Sequence, residues 1–313
     1  MSNKVFDCIV LGGGPAGLSC SLYVSRGGLD CAILDTSSLG GALSNYTEIE
    51  NYLGFDKISG FDLSEKFEQH IDCFNISKFP FEEIQELDLL SDIKTITTLN
   101  GEFRAKTVVI ACGAKPKKLN VKGELENIGR GVSYCAVCDG AFYKDKVVCV
   151  VGGGNSALEE ALYLTKHAKK VYLIHRRNEF RADKIIQEKV KENKKIELIL
   201  NSKVNEILAN KVVNGVKIEN TITKKEEFLK LDGVFPYIGL EPNSELFCGL
   251  VEQDKQGFIK TDVTMKTNVN GVYAIGDIRN TPLRQVITAV SDGAVAGVEV
   301  AKYLINSKEK VTK

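Results

Sequence analysis

One pattern occurs twice in this 313-residue chain, and it limits the possible folds more than any other feature. Residues 5–17 form an apolar stretch that runs into a glycine-rich turn, and residues 147–157 repeat it. A helical pattern follows each copy, at 18–27 and 158–167, and then a second apolar stretch, at 31–34 and 171–174. Strand–turn–helix–strand units of this kind build parallel sheets. The sequence therefore predicts an α/β fold with two such domains, a number that also suits the chain length.

Both turns match the fingerprint of a Rossmann-like dinucleotide-binding domain. The turns read Gly12-x-Gly14-x-x-Gly17 and Gly152-x-Gly154-x-x-Ala157. In such a turn the first glycine allows a sharp bend and the second lets the backbone approach a pyrophosphate. The third small residue lets helix and strand pack closely, and the helix N-terminus offers free N–H groups to the anion. A single match is weak, but two in the same strand-to-helix context predict two bound dinucleotides.

The residues that follow the two turns predict different ligands. The twenty-third residue after the first glycine is Asp35 in one copy and His175, followed by Arg176 and Arg177, in the other. A carboxylate accepts hydrogen bonds from ribose hydroxyls, which suits FAD or NAD, whereas guanidinium groups pair with the 2′-phosphate of NADP. Arg181 joins this basic cluster if the stretch is a helical turn. An exposed basic face is the alternative interpretation of such a short arginine run.

Two of the nine cysteines form a close pair just before the second turn. The C-x-x-C spacing of Cys135 and Cys138 allows a redox-active disulfide. A structural zinc site would need four ligands, and no second C-x-x-C or matching histidine pair exists, so we expect no metal. The alternative that the two cysteines are inert thiols of the core remains open. Asp139 is a candidate general acid for the leaving thiolate, although an aspartate before glycine also suits a simple turn. Five other cysteines lie in apolar stretches and are expected to be buried thiols: Cys8, Cys20, Cys31, Cys112 and Cys149.

The charge balance of the chain excludes some classes of partner. Lys and Arg total 41, as do Asp and Glu, so there is no global field to attract nucleic acid or an anionic membrane. No apolar run approaches the length of a spanning helix. The first seven residues also lack the pattern of a secretory signal. We therefore expect a cytoplasmic protein with no nucleic-acid or membrane partner.

Several motifs together resemble those of the bacterial-type, low-molecular-weight thioredoxin reductases, over nearly the whole length. CAVCDG resembles the redox motif of that family, and GGGPAGL its FAD fingerprint. VVGGGNSALEEALYL and HRRNEFRA resemble its NADPH site, and IGLEPN the stretch that closes the NADPH domain. GVYAIGDIR, followed by RQVITAVSDGAVA, resembles its C-terminal flavin-binding segment.

The resemblance implies a particular domain organisation and further site residues. A discontinuous FAD domain, 1–117 and 246–313, receives an inserted NADPH domain, 118–245, that carries the C-x-x-C. A homodimer is a family expectation. The FAD site then also includes Pro15, Ala16, Gly41, Ala42, Asn51, Asp277, Arg284, Gln285 and Val286. The NADPH site then also includes Asn155 and Ser156. Against the family pattern, alanine replaces glutamine at Ala42, leucine replaces proline at Leu53, and Cys112 stands where threonine is usual.

The implied activity is that of a thioredoxin-disulfide reductase. Electrons pass from NADPH to FAD, then to the Cys135–Cys138 disulfide, and then to thioredoxin. The resemblance implies that Cys138 faces the flavin, that Cys135 attacks the partner's disulfide and that Asp139 is the acid.

Four alternatives to that activity are considered. Ferredoxin–NADP reductases with the same fold lack the C-x-x-C, so Cys135 and Cys138 argue against them. A reductase fed by ferredoxin is disfavoured by the intact second turn and its arginines. A reductase of a peroxiredoxin-linked or other thioredoxin-like carrier stays open. A nucleotide-sensing protein without turnover would have no need for the redox pair.

Overall fold

The computed structural model describes residues 4–46 and 49–311. Residues 1–3, part of the segment considered above for a signal, lie outside the described residues. The chain forms two compact units. Residues up to Lys115 and from Glu241 onward form the first unit, and Pro116–Leu240 form the inserted unit. The boundaries predicted from the sequence fall after residues 117 and 245, a little further along the chain.

The described residues contain the following regular elements. The helices are α1 (Pro15–Arg26), α2 (Gly60–Ile71), α3 (Ala136–Asp139), α4 (Asn155–Leu164), α5 (Lys184–Glu192) and α6 (Val286–Val311). Strands of the first half are β1 (Val5–Leu11), β2 (Cys31–Leu34), β3 (Ile76–Phe79), β4 (Ile84–Asp88), β5 (Lys94–Thr98), β6 (Gly101–Ile110) and β7 (Ala114–Pro116). Strands of the second half are β8 (Val147–Gly152), β9 (Lys170–Ile174), β10 (Ile196–Ile199), β11 (Ser202–Asn210), β12 (Val212–Asn220), β13 (Glu226–Leu229), β14 (Gly233–Tyr237), β15 (Leu240–Pro242) and β16 (Val272–Ala274).

The first unit is built on a seven-stranded sheet in which distant parts of the chain meet. Its order is β3-β2-β1-β6-β5-β4, and β16 also pairs with β6. Strands β1, β2, β3, β6 and β16 are parallel, whereas β4 and β5 are antiparallel additions. Because β6 is long, it pairs with β5 along its first half and with β16 at its end. The C-terminal segment therefore completes the sheet that the N-terminal segment begins.

The helices α1 and α6 pack unusually closely against each other within the first unit. A Cβ added to Gly293 would lie 2.2 Å from the carbonyl oxygen of Ala16, and one added to Gly297 would lie 2.6 Å from Cβ of Tyr23. Glycine at these two positions therefore lets the helix backbones approach each other. The contact buries Cys20, Val24, Ala296 and Val300 in one apolar cluster with β1 and β2.

The inserted unit has its own sheet and core. Strands β10, β9, β8 and β14 form a parallel sheet in that order, and β11–β13 form a separate antiparallel meander. The apolar runs of β8 and β9 are buried because α4 and α5 cover one face of this sheet. The predicted fold class, two Rossmann-like domains with one inserted into the other, is confirmed.

The structure differs from the sequence prediction in the starts of two helices and in the burial of Cys112. The two helices after the turns begin at Pro15 and Asn155, not at 18 and 158, because the last residues of each turn already form the first helical turn. Four of the five cysteines expected to be buried are buried, but Cys112 is only partly so. Between residues 4 and 311, leaving aside 47 and 48, no helix has the length and apolarity that crossing a membrane requires.

Candidate active site

The first glycine turn is fixed by its own packing at two positions. Gly12 has φ +109°, and a Cβ there would lie 2.4 Å from the carbonyl oxygen of Ala111. A Cβ on Gly17 would lie 1.9 Å from the carbonyl oxygen of Gly12. Only glycine fits these two positions. The sharp turn and the close approach of helix and strand, both predicted from the fingerprint, are thus present.

Asp35 lies at the end of β2 against this turn. One of its carboxylate oxygens accepts a hydrogen bond from the backbone N–H of Gly13 at 2.6 Å. The other accepts from the N–H and hydroxyl of Ser37, at 2.8 and 3.0 Å. The neighbouring Gly41 has φ +61°, and a Cβ on it would lie 3.0 Å from Cα of Gly14. Asp35 and Gly41 are thus brought to the same turn.

A short segment before α6 reaches the same place from the C-terminal part of the chain. Gly276 has φ +71°, and a Cβ on it would lie 3.0 Å from Cβ of Ala16, beside Pro15 at the start of α1. The next residue is Asp277, and burial raises the pKa of its carboxyl group. Arg279 and the N–H of Gly276 both bind the carboxylate of Asp292, the arginine through two bonds of 2.7 and 2.9 Å.

The remaining predicted FAD residues also gather near this turn. The amide of Asn51 donates to the side-chain oxygen of Gln285 at 3.0 Å. The guanidinium of Arg284 lies 4.0 Å from the centre of the Phe258 ring, and its Nε donates to the carbonyl oxygen of Asp277. Val286 packs with Leu43 and Leu63 in a small apolar cluster. Ala42 is exposed and offers no polar side-chain atom.

The second glycine turn has the same construction in the inserted unit. A Cβ on Gly152 would lie 2.2 Å from the carbonyl oxygen of Tyr237, and Ala157 is completely buried beneath the turn. Asn155 is tied to Asp183 by two hydrogen bonds, of 2.7 and 2.8 Å. Ser156 is exposed.

The second turn and the residues after β9 lie together. A Cβ on Gly153 would lie 2.3 Å from the ring of His175, which is buried and bonded to the carbonyl of Glu179. Burial lowers the pKa of His175, and the positive charges of Arg176, Arg177 and Arg181 act in the same direction. The ring of His175 supports the turn from below. A direct contact of His175 with NADPH stays a prediction.

The three arginines are exposed beside this turn. The N–H of Arg181 donates to the carbonyl of Gly153 at 2.7 Å, which brings that residue to the turn. Among the described carboxylates, none forms an ion pair with Arg176, Arg177 or Arg181. The cluster therefore presents three positive charges that the described part of the chain does not neutralise.

The redox pair forms a disulfide at the start of α3. Cys135 and Cys138 are bonded, with their Cα atoms 5.3 Å apart. The sulfur of Cys135 accepts a hydrogen bond from the N–H of Cys138 at 3.1 Å, and the N–H of Cys135 donates to the hydroxyl of Ser133 at the same distance. Cys138 is exposed and Cys135 half-buried. Asp139 is half-buried and is the last residue of the helix. Burial raises the pKa of Tyr143, and the negative charge of Asp139 raises it further.

Several residues near these sites were missed by sequence reasoning. Ser133 and Tyr237 hold the redox turn, and Arg279 and Asp292 hold the Asp277 turn. Arg279 lies in the GDIR motif and Asp292 in the SDG that follows it. The sequence analysis therefore included both residues but assigned neither of them a role. Tyr237 carried no local signal, because its partner lies 101 residues away in the sequence. Throughout the described ranges, no three His, Cys, Asp or Glu side chains cluster as a metal site would require.

Glu160 on α4 was also missed. It is 9% exposed, and its Oε2 is the one buried side-chain oxygen or nitrogen of the described residues that lacks a hydrogen-bond partner. Burial raises the pKa of Glu160 to about 7.

That burial predicts a pH-dependent stability. The unfolded chain ionises Glu160 near its ordinary pKa, whereas the folded chain does so only at about 7. Between those values rising pH favours unfolding, and above them the penalty stays constant, on the order of 3 kcal/mol. Glu160→Gln should therefore gain stability relative to the parent protein as pH rises from 4.5 to 7.5. Urea unfolding midpoints at pH 5 and pH 8 measure this gain. Glu188, an exposed residue of α5, provides the control, and an equal gain in Glu188→Gln would contradict the expectation.

A disulfide next to one of two dinucleotide turns defines a class of protein, the pyridine-nucleotide-dependent disulfide oxidoreductases. Comparison with known proteins supports this class. The sequence profile described as pyridine nucleotide-disulphide oxidoreductase matches residues 6–293. The chain therefore belongs to that family and, within it, to the bacterial-type thioredoxin reductases.

The individual relatives match over almost their whole length. A thioredoxin reductase of Listeria monocytogenes is 43% identical, over 98% of this chain and 97% of its own. One of Bacillus subtilis is 42% identical, with the same two coverages of 98% and 97%. The crystal structure of the Lactococcus lactis thioredoxin reductase (FR conformation) superimposes with a TM-score of 0.94 at 38% identity, covering 96% of this chain and 99% of that one.

The family is FAD-binding and NADPH-dependent, and both turns fit such ligands. Gly14 and Gly154 have ordinary φ angles of −75° and −100°. A Cβ on Gly14 would find no atom nearer than 3.9 Å, and one on Gly154 none within 4 Å. Neither the backbone nor internal packing therefore requires glycine at these two positions. A phosphate approaching the helix N-terminus does require it.

Proposed function

We propose that the protein is an NADPH-dependent thioredoxin-disulfide reductase. The observation that carries the proposal is the Cys135–Cys138 disulfide, which lies in the same unit as a dinucleotide turn flanked by three unneutralised arginines. When bound, NADPH supplies hydride and FAD passes the electron pair on to the disulfide. The thioredoxin reductases among its relatives support thioredoxin as the partner.

The residues of the second turn hold NADPH in this proposal. The N-terminus of α4, with Gly152, Gly154 and Asn155, receives the pyrophosphate. The guanidinium groups of Arg176 and Arg177 bind the 2′-phosphate, with Arg181 beside them, because charge-assisted bidentate pairs are the strongest hydrogen bonds available there. Ser156, Ala157 and His175 complete the predicted set.

The residues of the first turn hold FAD. Gly12, Gly14 and Gly17 receive its pyrophosphate, and the carboxylate of Asp35 accepts from a ribose hydroxyl. Asp277 contacts the ribityl or pyrophosphate region of FAD in this proposal. The predicted contacts along the flavin come from residues on the loops before α2 and α6, namely Gly41, Ala42, Asn51, Arg284, Gln285 and Val286.

The thiol chemistry rests on the pair itself. Reduction breaks the S–S bond and leaves two electrons on the sulfurs, and two protons complete the dithiol. The N–H of Cys138 donates to the sulfur of Cys135, a bond that stabilises a thiolate there. That thiolate attacks a disulfide sulfur of thioredoxin, and the second thiol then releases the product by forming the Cys135–Cys138 bond again. Asp139 provides the proton for the leaving thiolate.

An anaerobic titration tests the proposal. NADPH should bleach the flavin absorbance of the purified protein at far lower concentration than NADH, and added thioredoxin should then reduce a disulfide dye. A flavin that neither nucleotide reduces would overturn the NADPH assignment and favour ferredoxin as donor. Bleaching without thioredoxin reduction would favour another thioredoxin-like or peroxiredoxin-linked carrier. We also propose, on the strength of the family resemblance, that the protein is cytoplasmic and forms a homodimer. Sedimentation of the purified protein tests the homodimer, and fractionation of cells tests the location.

A further inference from the structure

Tyr237 touches both functional parts of the inserted unit. It ends β14, where it pairs with Gly152 at the end of β8. Because a Cβ on Gly152 would lie 2.2 Å from the carbonyl oxygen of Tyr237, the backbone of this tyrosine forms one wall of the second glycine turn. No free space separates the turn from this wall, so a movement of the turn toward the wall must displace the wall.

The side chain of the same residue holds the redox helix. Its hydroxyl oxygen accepts a hydrogen bond from the N–H of Ala136 at 3.0 Å. Ala136 is the first residue of α3, lies between the two cysteines in sequence and is completely buried. The first N–H groups of a helix have no partner within it, so this hydroxyl satisfies a donor that burial would otherwise leave unpaired.

One hydrogen bond of the redox turn comes from the wall of the nucleotide turn. The N–H of Cys138 donates to the sulfur of Cys135, and the N–H of Cys135 donates to Ser133. Both bonds are local in the sequence, whereas the bond from Ala136 reaches a residue of β14. The start of α3 is therefore connected, through this phenol, to the residue that forms one wall of the nucleotide turn.

We propose that Tyr237 is a positioning residue that couples nucleotide binding at the second turn to the dithiol–disulfide equilibrium of Cys135 and Cys138. Binding displaces the wall of the turn and, through the phenol, the N-terminus of α3. Reciprocity requires that the redox state of the pair changes nucleotide affinity by the same factor. The inference rests on the proposed function, since it takes the second turn as a nucleotide site.

The test measures this coupling in the holoenzyme with NADP⁺, which binds without donating electrons. The protein is equilibrated anaerobically in glutathione buffers, in which two glutathione molecules reduce the disulfide and leave as one glutathione disulfide. The peptide that carries both cysteines is then alkylated and quantified by mass spectrometry. Saturating NADP⁺ should shift the equilibrium constant by about fivefold, which is the effect of roughly one hydrogen bond. Tyr237→Phe, which keeps the ring and removes the hydroxyl, should abolish the shift.

A matched control separates coupling from a general effect of losing a phenol. Tyr134 lies beside Cys135, and its hydroxyl donates to Glu124 at 2.8 Å. Tyr134→Phe should retain the NADP⁺-dependent shift. Calorimetric titration with NADP⁺ distinguishes failure of the proposed function from failure of the proposed coupling. Absence of binding overturns the proposed function and this inference together. Binding with no shift in the parent protein, or with an unchanged shift in Tyr237→Phe, overturns the inference alone.

Discussion

Replacing Cys138 by serine should lower the rate of thioredoxin reduction by at least about 10³-fold, because the disulfide that carries electrons to the partner no longer forms. The same holds for Cys135→Ser. Reduction of the flavin by NADPH should persist in both variants, since neither side chain belongs to the predicted nucleotide or flavin contacts. Steady-state dye reduction with thioredoxin and stopped-flow flavin bleaching separate the two half-reactions.

An exposed cysteine outside the pair provides the control. Cys248→Ser should keep full activity, because Cys248 is a free surface thiol. A Cys135→Ser or Cys138→Ser protein that turns over thioredoxin at a tenth of the parent rate or faster would contradict the assignment of the redox centre.

The same variants test which thiol attacks. The family resemblance assigns the attack to Cys135, whereas Cys138 is the more exposed of the two. A thioredoxin that lacks its resolving cysteine is first converted to a mixed disulfide with thionitrobenzoate. Cys135 of the Cys138→Ser protein should then attack this disulfide, release thionitrobenzoate and remain bound to thioredoxin in a stable mixed disulfide. Trapping by Cys135→Ser instead would reverse the two roles.

Removing both charges of Arg176 and Arg177 should abolish most of the preference for NADPH over NADH. Each charge-assisted hydrogen bond to the 2′-phosphate contributes about 1.5–3 kcal/mol, so the double glutamine variant should lose about 10²- to 10⁴-fold in kcat/KM for NADPH. The effect should lie in KM, with kcat nearly unchanged, because the phosphate is remote from the reacting carbon. kcat/KM for NADH should change by less than threefold, about the noise of such a comparison.

A matched arginine shows whether charge alone is responsible. Arg130 is an exposed arginine of the same unit, and Arg130→Gln should leave the NADPH-to-NADH ratio unaltered. An unaltered ratio in the double variant as well would mean that the basic cluster is only a solvated surface.

The sequence predicted those features whose cause is local. The glycine turns, Asp35 at the end of β2 and the C-x-x-C each follow from residues close in the chain, and the structure has them where the pattern indicated. Helix starts were displaced by one turn, because periodicity begins with the first apolar residue and not with the capping glycine. Boundaries of this kind depend on backbone geometry that the apolar pattern does not contain.

Features that depend on long-range packing were not predictable in this way. Asn51 meets Gln285 across 234 residues, and only the family resemblance assigned both to one site. In the sequence Glu160 follows another glutamate within a helical pattern, which suggests a solvated face. Its burial follows from the packing of α4 in the inserted unit, where Ala157, Ala161 and Leu164 surround it on the helix.

The pairing of β16 with β6 and the close contact of α6 with α1 have a consequence for biosynthesis. Residues 116–240 leave the ribosome with every strand of their own sheet, so they are able to fold while the chain is still growing. The first 115 residues lack β16 and α6 until the last part of the chain is translated. We therefore expect the inserted unit to fold before the unit that surrounds it, and the nascent chain to acquire flavin only after translation is nearly complete.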